Sequence, residues 1–332
     1  SDRQCAPGGG PMRPRRGVAL LAALWLVVAI AAVALQFSME AKERRTLGIM
    51  ASERGQQRAL ALGALAYAQA KLEYAIRVAP SGSNVAVARL AGSDPWYNVD
   101  SLYKGTVEID STPVTIEAHD LGEKLNVNTA TETELQQFFS FLLSDYQKST
   151  QLSQAIMDWR DADSVKRPSG AERDDYIKAG MLALPANTLF SDVSDLKNVM
   201  GMTPDIYAQI APYLTTRGAG QINLNDAPVP VLRSLPGMTD ATLNQILQLR
   251  SQGRRISSVG QIFSSPARGG RPLPGQLAST AAVNALAGRT EIVVSQVEIT
   301  ITSRVGPQAR PTVLIAVLRN SGTTADVTTK KW

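Results

Sequence analysis

Cysteine and histidine are almost missing from this 332-residue chain, which has one of each, Cys5 and His119. A lone cysteine excludes an internal disulfide, and no Cys/His dyad is available for nucleophilic catalysis. There is also no phosphate loop of the G-x-x-x-x-G-K type and no serine nucleophile elbow. A solitary histidine at a strand end is more often structural than catalytic, so an enzyme is not expected. Excess charge is lacking too. The net charge of +5 hides a middle section, residues 120–250, with a net charge of −5. The basic pI therefore does not mark a nucleic-acid binder.

Two further absences lie near the N-terminus. No charge interrupts Val18–Leu35, and no proline occurs from Gln36 to Val78. As a helix, the first stretch rises to roughly 27 Å, close to the hydrocarbon thickness of a bilayer. Arg13-Pro-Arg-Arg-Gly17 precedes it and stays on the cytoplasmic side by the positive-inside rule. A cleaved secretory leader would end soon after a short apolar run. Here the helical character continues, with Gly48, Gly55 and Gly63 weakening the helix without ending it. Two readings stand at this point: the membrane half of one long helix, or a plain single-span anchor. Met12, just before the arginines, offers a second start for translation.

In the continuation, Leu65, Ala68, Leu72, Ala75 and Ile76 form one helical face suited to packing on a sheet, before a breaker at Ala79-Pro80-Ser81-Gly82. Beyond a loop containing Trp96 and Tyr97, residues 104–110 and 113–119 alternate apolar and polar side chains around an Asp-Ser-Thr-Pro turn, which predicts a β-hairpin. Alternation returns only at Val297, Ile299 and Ile301, then at Val313–Leu318 after a Val305-Gly306-Pro307 turn. The expected fold is α+β: a long N-terminal helix on an antiparallel sheet, with a large all-helical domain inserted between strands at about residues 120–270.

The insertion contains short repeats. Leu125-Asn-Val-Asn-Thr-Ala130 recurs as Ile222-Asn-Leu-Asn-Asp-Ala227, where Asn or Thr/Asp side chains could cap the following helices. Val199-Met-Gly-Met-Thr203 recurs as Leu235-Pro-Gly-Met-Thr239, resembling helix-hairpin-helix turns. Such turns bind DNA phosphates in many proteins, so a membrane-anchored DNA-binding protein is the alternative function. The acidic balance and the absence of a Lys or Arg next to Gly201 or Gly237 argue against it. Between the repeats lies a dense acidic cluster: Asp158, Asp161, Asp163, Glu172, Asp174 and Asp175. Such carboxylates repel one another unless a cation sits among them, and an all-oxygen set favours Ca²⁺. The spacing does not fit an EF-hand. A solvated acidic loop remains the other reading, and a glycosidase-like carboxylate pair a weaker third, with only Trp159 and Tyr176 as nearby aromatics.

Taken together, the leader ending at Gly17, the apolar run, and the ordered motifs Leu125-Asn-Val-Asn, Asp158-Trp-Arg-Asp-Ala-Asp, Pro168-Ser-Gly-Ala-Glu, Leu184-Pro-Ala-Asn187 and Ile222-Asn-Leu-Asn resemble the K-type minor pseudopilins of type II secretion systems, the GspK family. The resemblance implies a type IV pilin-like fold. It divides the chain into a leader (1–17), an N-terminal helix (18–78, transmembrane over 18–35), a pilin-like core (79–119 and 271–332) and the inserted domain (120–270). It further implies that a prepilin peptidase cuts after Gly17 and methylates Val18. Most pilins carry a Glu at the fifth mature position, where this chain has Ala22. The departure fits a tip subunit, because no neighbour above would offer an amine for that carboxylate to pair with. Calcium in the inserted domain is implied as well, with Asp161, Asp163, Glu172, Asp174 and Asp175 as candidate ligands and Asp158 and Asn187 as further ones. The implied partners are the I- and J-type minor pseudopilins through the N-terminal helix, the major pseudopilin, the prepilin peptidase and the inner-membrane assembly platform. No nucleic acid is expected. The implied location is the bacterial inner membrane, single-pass, with the C-terminal domains in the periplasm.

Overall fold

The computed structural model describes residues 16–78, 96, 99, 104–263, 280–306 and 309–332, without the side chains of 16–19 and 280–282. The expected leader up to residue 15, the breaker at 79–82, Tyr97 and Pro307 lie outside the described residues. Helix α1 runs from Arg16 to Val78. The chain falls into two compact units, residues 1–57 with 305–309, and residues 58–304 with 310–332. In the first unit the apolar side chains Leu20, Leu24, Trp25, Val28, Ile30 and Leu35 are all exposed. Soluble protein surfaces rarely show so continuous an apolar face.

The second unit holds two hydrophobic cores. One lies between the last turns of α1 and a five-stranded antiparallel sheet. The strands are β1 (Lys104–Ile109), β2 (Thr112–Asp120), β7 (Gln296–Ser303), β8 (Thr312–Asn320) and β9 (Ala325–Lys331), in that spatial order. The alternation read from the sequence sets the register: Ile116 lies opposite Ile301, and Ala118 opposite Ile299. Ile299 faces Ala316, and Ile301 faces Leu314. These side chains bury against Leu65, Ala68 and Leu72 of α1, with Ala75 and Ile76 packed at the margin. Because side-chain direction alternates along a strand, a one-residue slip would turn this whole set into water. Trp96 closes one end, its indole N–H donating to the Leu72 carbonyl at 3.1 Å.

The other core belongs to the insertion, which leaves the sheet after Asp120 and rejoins it before Gln296. It reaches past the boundary expected at 270, since Leu286 and Ile292 pack into it. Nor is it all helical. Two short parallel ladders, β3 (Leu125–Asn126) with β4 (Leu214–Thr215) and β5 (Ile222–Asn223) with β6 (Thr290–Glu291), sit among the helices. The helices of the first half are α2 (Glu132–Leu143), α3 (Tyr146–Arg160), α4 (Arg173–Lys178) and α5 (Pro204–Ile210). Those of the second half are α6 (Val229–Arg233), α7 (Asp240–Ser251) and α8 (Thr280–Ala287).

The sequence repeats mark a structural duplication. Asn126 Oδ1 accepts from the Asn128 N–H, and Asn223 Oδ1 from the Asn225 N–H, both at 2.9 Å. Asn128 then pairs through its whole side-chain amide with the N–H and C=O of Phe190, as Asn225 does with Ile256. Arg160 donates to the carbonyls of Val127 and Ala130, and Arg250 to those of Leu224 and Ala227. The asparagines and arginines thus satisfy buried backbone groups that no ladder reaches. The expectation that Asn or Thr/Asp of these repeats caps the next helix is corrected. Thr131 caps α2 in a reciprocal arrangement with Glu134, and α6 has no side-chain cap at its first turn. Between the clamping arginine and the residue bound by the asparagine, the second half needs only residues 251–255. The first half inserts residues 161–189, and these carry most of the acidic cluster.

Candidate metal centre and the family

The acidic loop starts where α3 ends. Asp158, Trp159 and Arg160 form its last turn, and Trp159 anchors the base by stacking on Phe190 (6.1 Å, 8°) and meeting Tyr176 edge-on at 5.6 Å. The Tyr176 hydroxyl accepts from the Met200 N–H at 2.9 Å, which ties α4 to the hairpin around Gly201. Gly201 and Gly237 both take positive φ, +86° and +74°, which a glycine adopts without penalty. Lys148 lies beside Gly201, a neighbour the sequence could not show because it comes from a different helix.

Of the seven candidate ligands, Asp161, Asp163 and Glu172 are brought together, with one oxygen from each within 4.8 Å of the others. Glu172 is only 6% exposed, and neither of its carboxylate oxygens finds a hydrogen-bond partner among the described residues. Asp161 Oδ1 is likewise buried and unpartnered. Burial pushes the Glu172 carboxyl above its usual range, and the charge of Asp158 adds to the effect. A buried, unpaired carboxylate facing two others is unfavourable unless a cation joins them.

The remaining four have other duties. Asp158 is fully buried and gives one oxygen to the Arg167 guanidinium at 2.6 Å and the other to the Arg167 N–H at 3.2 Å. Asp175 accepts from the Glu172 N–H at 3.1 Å and pairs with Lys166 at 3.1 Å, which holds its carboxyl below the usual range. Asp174 is exposed on the first turn of α4. Asn187 sits at φ +48° and donates to the Asp163 carbonyl at 2.7 Å, so it shapes the loop through backbone. Sequence spacing missed Arg167, which bonds both Asp158 and Asp161. The alternation of charge in Asp161-Ala-Asp163-Ser-Val-Lys166-Arg167 was the available signal.

A long helix whose last turns pack on an antiparallel sheet is a pilin-like architecture, and the exposed apolar N-terminal stretch of that helix is long enough to cross a membrane; here the architecture carries a helical insertion with a carboxylate cluster. Comparison with known proteins narrows this. Residues 97–219 match the family described as type II secretion system (T2SS), protein K. The type II secretion system protein K of Pectobacterium carotovorum subsp. carotovorum is 31% identical over 131 residues, 36% of this chain and 39% of that protein. The protein K of Klebsiella pneumoniae is 30% identical over 142 residues, 40% and 43% of the two chains. The matched stretch thus spans about two fifths of each relative's length. A chain in the crystal structure of the GspK-GspI-GspJ complex from the enterotoxigenic Escherichia coli type 2 secretion system shares the fold. It matches at TM-score 0.59 and 16% identity, over 84% of this chain and 98% of that one. Over residues 97–219 the chain is thus similar to the type II secretion protein K family, the one that the sequence motifs resembled.

Proposed function

We propose that the chain is a minor pseudopilin at the tip of a type II secretion pseudopilus, where it initiates filament assembly and so supports export of folded proteins across the outer membrane. The observation that carries this reading is a protein K domain in a chain whose long helix opens with an exposed apolar stretch containing no carboxylate from Leu20 to Met39. Ala22 falls in that stretch, where a Glu would serve a subunit with a neighbour above it. The prepilin peptidase cuts between Gly17 and Val18 and methylates Val18. The helix then joins the I- and J-type minor subunits by apolar packing. The major pseudopilin follows beneath, and the inner-membrane platform drives assembly. Residues beyond the span stand in the periplasm. Mass spectrometry of the mature chain tests the assignment: it is expected to begin at N-methyl-Val18, and a mature chain retaining Arg13–Gly17 would refute it.

In this reading the inserted domain holds calcium through Asp161, Asp163 and Glu172. The fit rests on hard oxygen donors, two of them on a buried side chain without a partner. The ion supplies a positive charge among Asp161, Asp163 and Glu172, and it fixes the loop 161–189 against Trp159 and Tyr176. A metal bound only by the folded state raises stability through linkage, by about 2.7 kcal/mol at a hundredfold excess over Kd. Removing it with EDTA is expected to lower Tm, and an unchanged Tm would count against the site.

A further inference from the structure

An open cleft of about 430 Å³ lies on the inserted domain, lined by Tyr146, Gln147, Thr150 and Gln151 of α3 and by Ser169 from the loop after that helix. The corner between α2 and α3 builds its first wall. Ser144 takes φ +53° to end α2, and Asp145 caps α3 by accepting from the Lys148 N–H at 2.9 Å. Residues four apart share a helix face, so Tyr146 stands beside Thr150 and Gln147 beside Gln151. Thr150 is held in place, donating to the Tyr146 carbonyl at 2.9 Å and accepting from Gln136 at 2.8 Å. The second wall is the turn at Ser169, whose N–H donates to Gln154 Oε1 at 2.6 Å. An added Cβ at Gly170 would overlap Asp158, so only glycine lets this turn lie so close on α3.

The lining selects the chemistry of a ligand. It contains no charged side chain and a single aromatic ring, which suits neither an ion nor a wholly apolar molecule. It is formed by a helix and a turn, so an extended peptide finds no strand edge to pair with. Tyr146 is 71% exposed. The side chains of Tyr146, Gln147 and Ser169 have no hydrogen-bond partner among the described residues, and Gln151 uses only its Oε1, toward Lys148 at 3.4 Å. A sugar ring offers an apolar C–H face to an aromatic ring and hydroxyls to amides. An acetamido group adds an N–H and a C=O in one plane, which a glutamine amide can meet with one acceptor and one donor. We propose that this cleft binds a chain of N-acetylated amino sugars, the class to which bacterial cell-wall glycan strands belong, with Tyr146 against a sugar ring and Gln147 and Gln151 on acetamido groups. The proposal requires neither the tip position nor a bound ion.

Isothermal calorimetry on the full-length chain in a sugar-free detergent provides the test. The hexamer of N-acetylglucosamine is expected to bind with a Kd of about 1 mM or below, and a glucose hexamer at least ~10-fold more weakly. Tyr146→Ala is expected to weaken the N-acetylglucosamine hexamer at least ~10-fold, and Gln147→Leu combined with Gln151→Leu to erase the preference for it. No binding of that hexamer up to about 10 mM would overturn the proposal. Equal binding of the two hexamers to the wild type would overturn it as well, without reference to any variant. Unchanged affinity in a folded Tyr146→Ala would place the sugar elsewhere and overturn the site. A short uncharged peptide, tri-alanine amide, serves as the control, and its binding as tightly as the sugar would overturn the assignment in favour of a peptide.

Discussion

The seam where the insertion meets the sheet contains two carboxylates in poor surroundings, and it makes stability depend on pH. Asp120 ends β2 and is 2% exposed, with Oδ1 accepting from the Gly122 N–H at 2.7 Å and Oδ2 from Asn223 at 2.6 Å. Burial raises its pKa to about 6 despite those bonds. Glu291, in β6, occupies the place of Thr215 in the first half: each carbonyl receives the N–H of its repeat, from Leu224 and Val127. Its Oε2 is buried without a hydrogen-bond partner among the described residues. Burial first, then the charge of Asp120, push the Glu291 pKa up to about 8. Below a pH of about 4.5 both folded and unfolded chains hold this proton, and the residue carries no penalty. As pH rises, the unfolded chain ionises first, so stability is lost between about pH 4.5 and 8 and stays lost above that. A shift of this size corresponds to roughly 4–5 kcal/mol at its ceiling, and ~2–3 kcal/mol once a partly exposed side chain relaxes toward water.

Glu291→Gln keeps the shape and removes the ionisation. Its expected effect is a Tm higher by on the order of 5–10 °C at about pH 8.5, and a near-zero gain at about pH 4.5. Melting curves of the full-length chain in detergent across that range provide the assay. A residual slope below about pH 6 should persist, because Asp120 is untouched. If the curve of Glu291→Gln ran parallel to the wild type, the desolvated ionised carboxylate would not be the cause and the reasoning would fail.

Three other outcomes follow from the same geometry. Arg250→Met removes bonds of 3.0 and 2.6 Å to the Leu224 carbonyl and 2.7 Å to that of Ala227. Denaturant melts should show a loss of ~2–4 kcal/mol, and Arg160→Met a loss of similar size if the two halves are equivalent. Trp159→Ala takes away the ring between Phe190 and Tyr176 and should cost ~3–5 kcal/mol, and it should also weaken the proposed calcium binding in calorimetry. Gly170→Ala forces Asp158 away from the Arg167 loop and should cost ~1–3 kcal/mol by thermal melt, where a neutral result would show that the loop can shift without penalty.

Much of the fold could be read along the chain, because it depends on local periodicity. The helix face at Leu65, Ala68 and Leu72 and the alternation at Val297, Ile299 and Ile301 each name the side that must bury, and the structure buries those sides. The repeats were visible too, but their use was not. An Asn-x-Asn-x-x-Ala segment looks like a helix cap from nearby residues alone, whereas its amides reach partners some sixty residues away, at Phe190, or about thirty, at Ile256. Likewise the acids of the cluster were legible as a set. Which of them face one another was decided by Arg167 and Lys166, whose placement depends on how the loop closes on α3.

The sequence by itself determined the long apolar stretch of the N-terminal helix, the sheet's inward faces and the likeness to protein K, since each rests on residue type at fixed spacing. Tertiary structure alone decided the duplicated halves, the sorting of Asp161, Asp163 and Glu172 from the other acids, and the strained pair at Asp120 and Glu291. The physical reason is that charge and hydrogen-bond energies depend on distance and solvent exclusion, and for residues far apart in sequence both exist only once the chain has closed on itself.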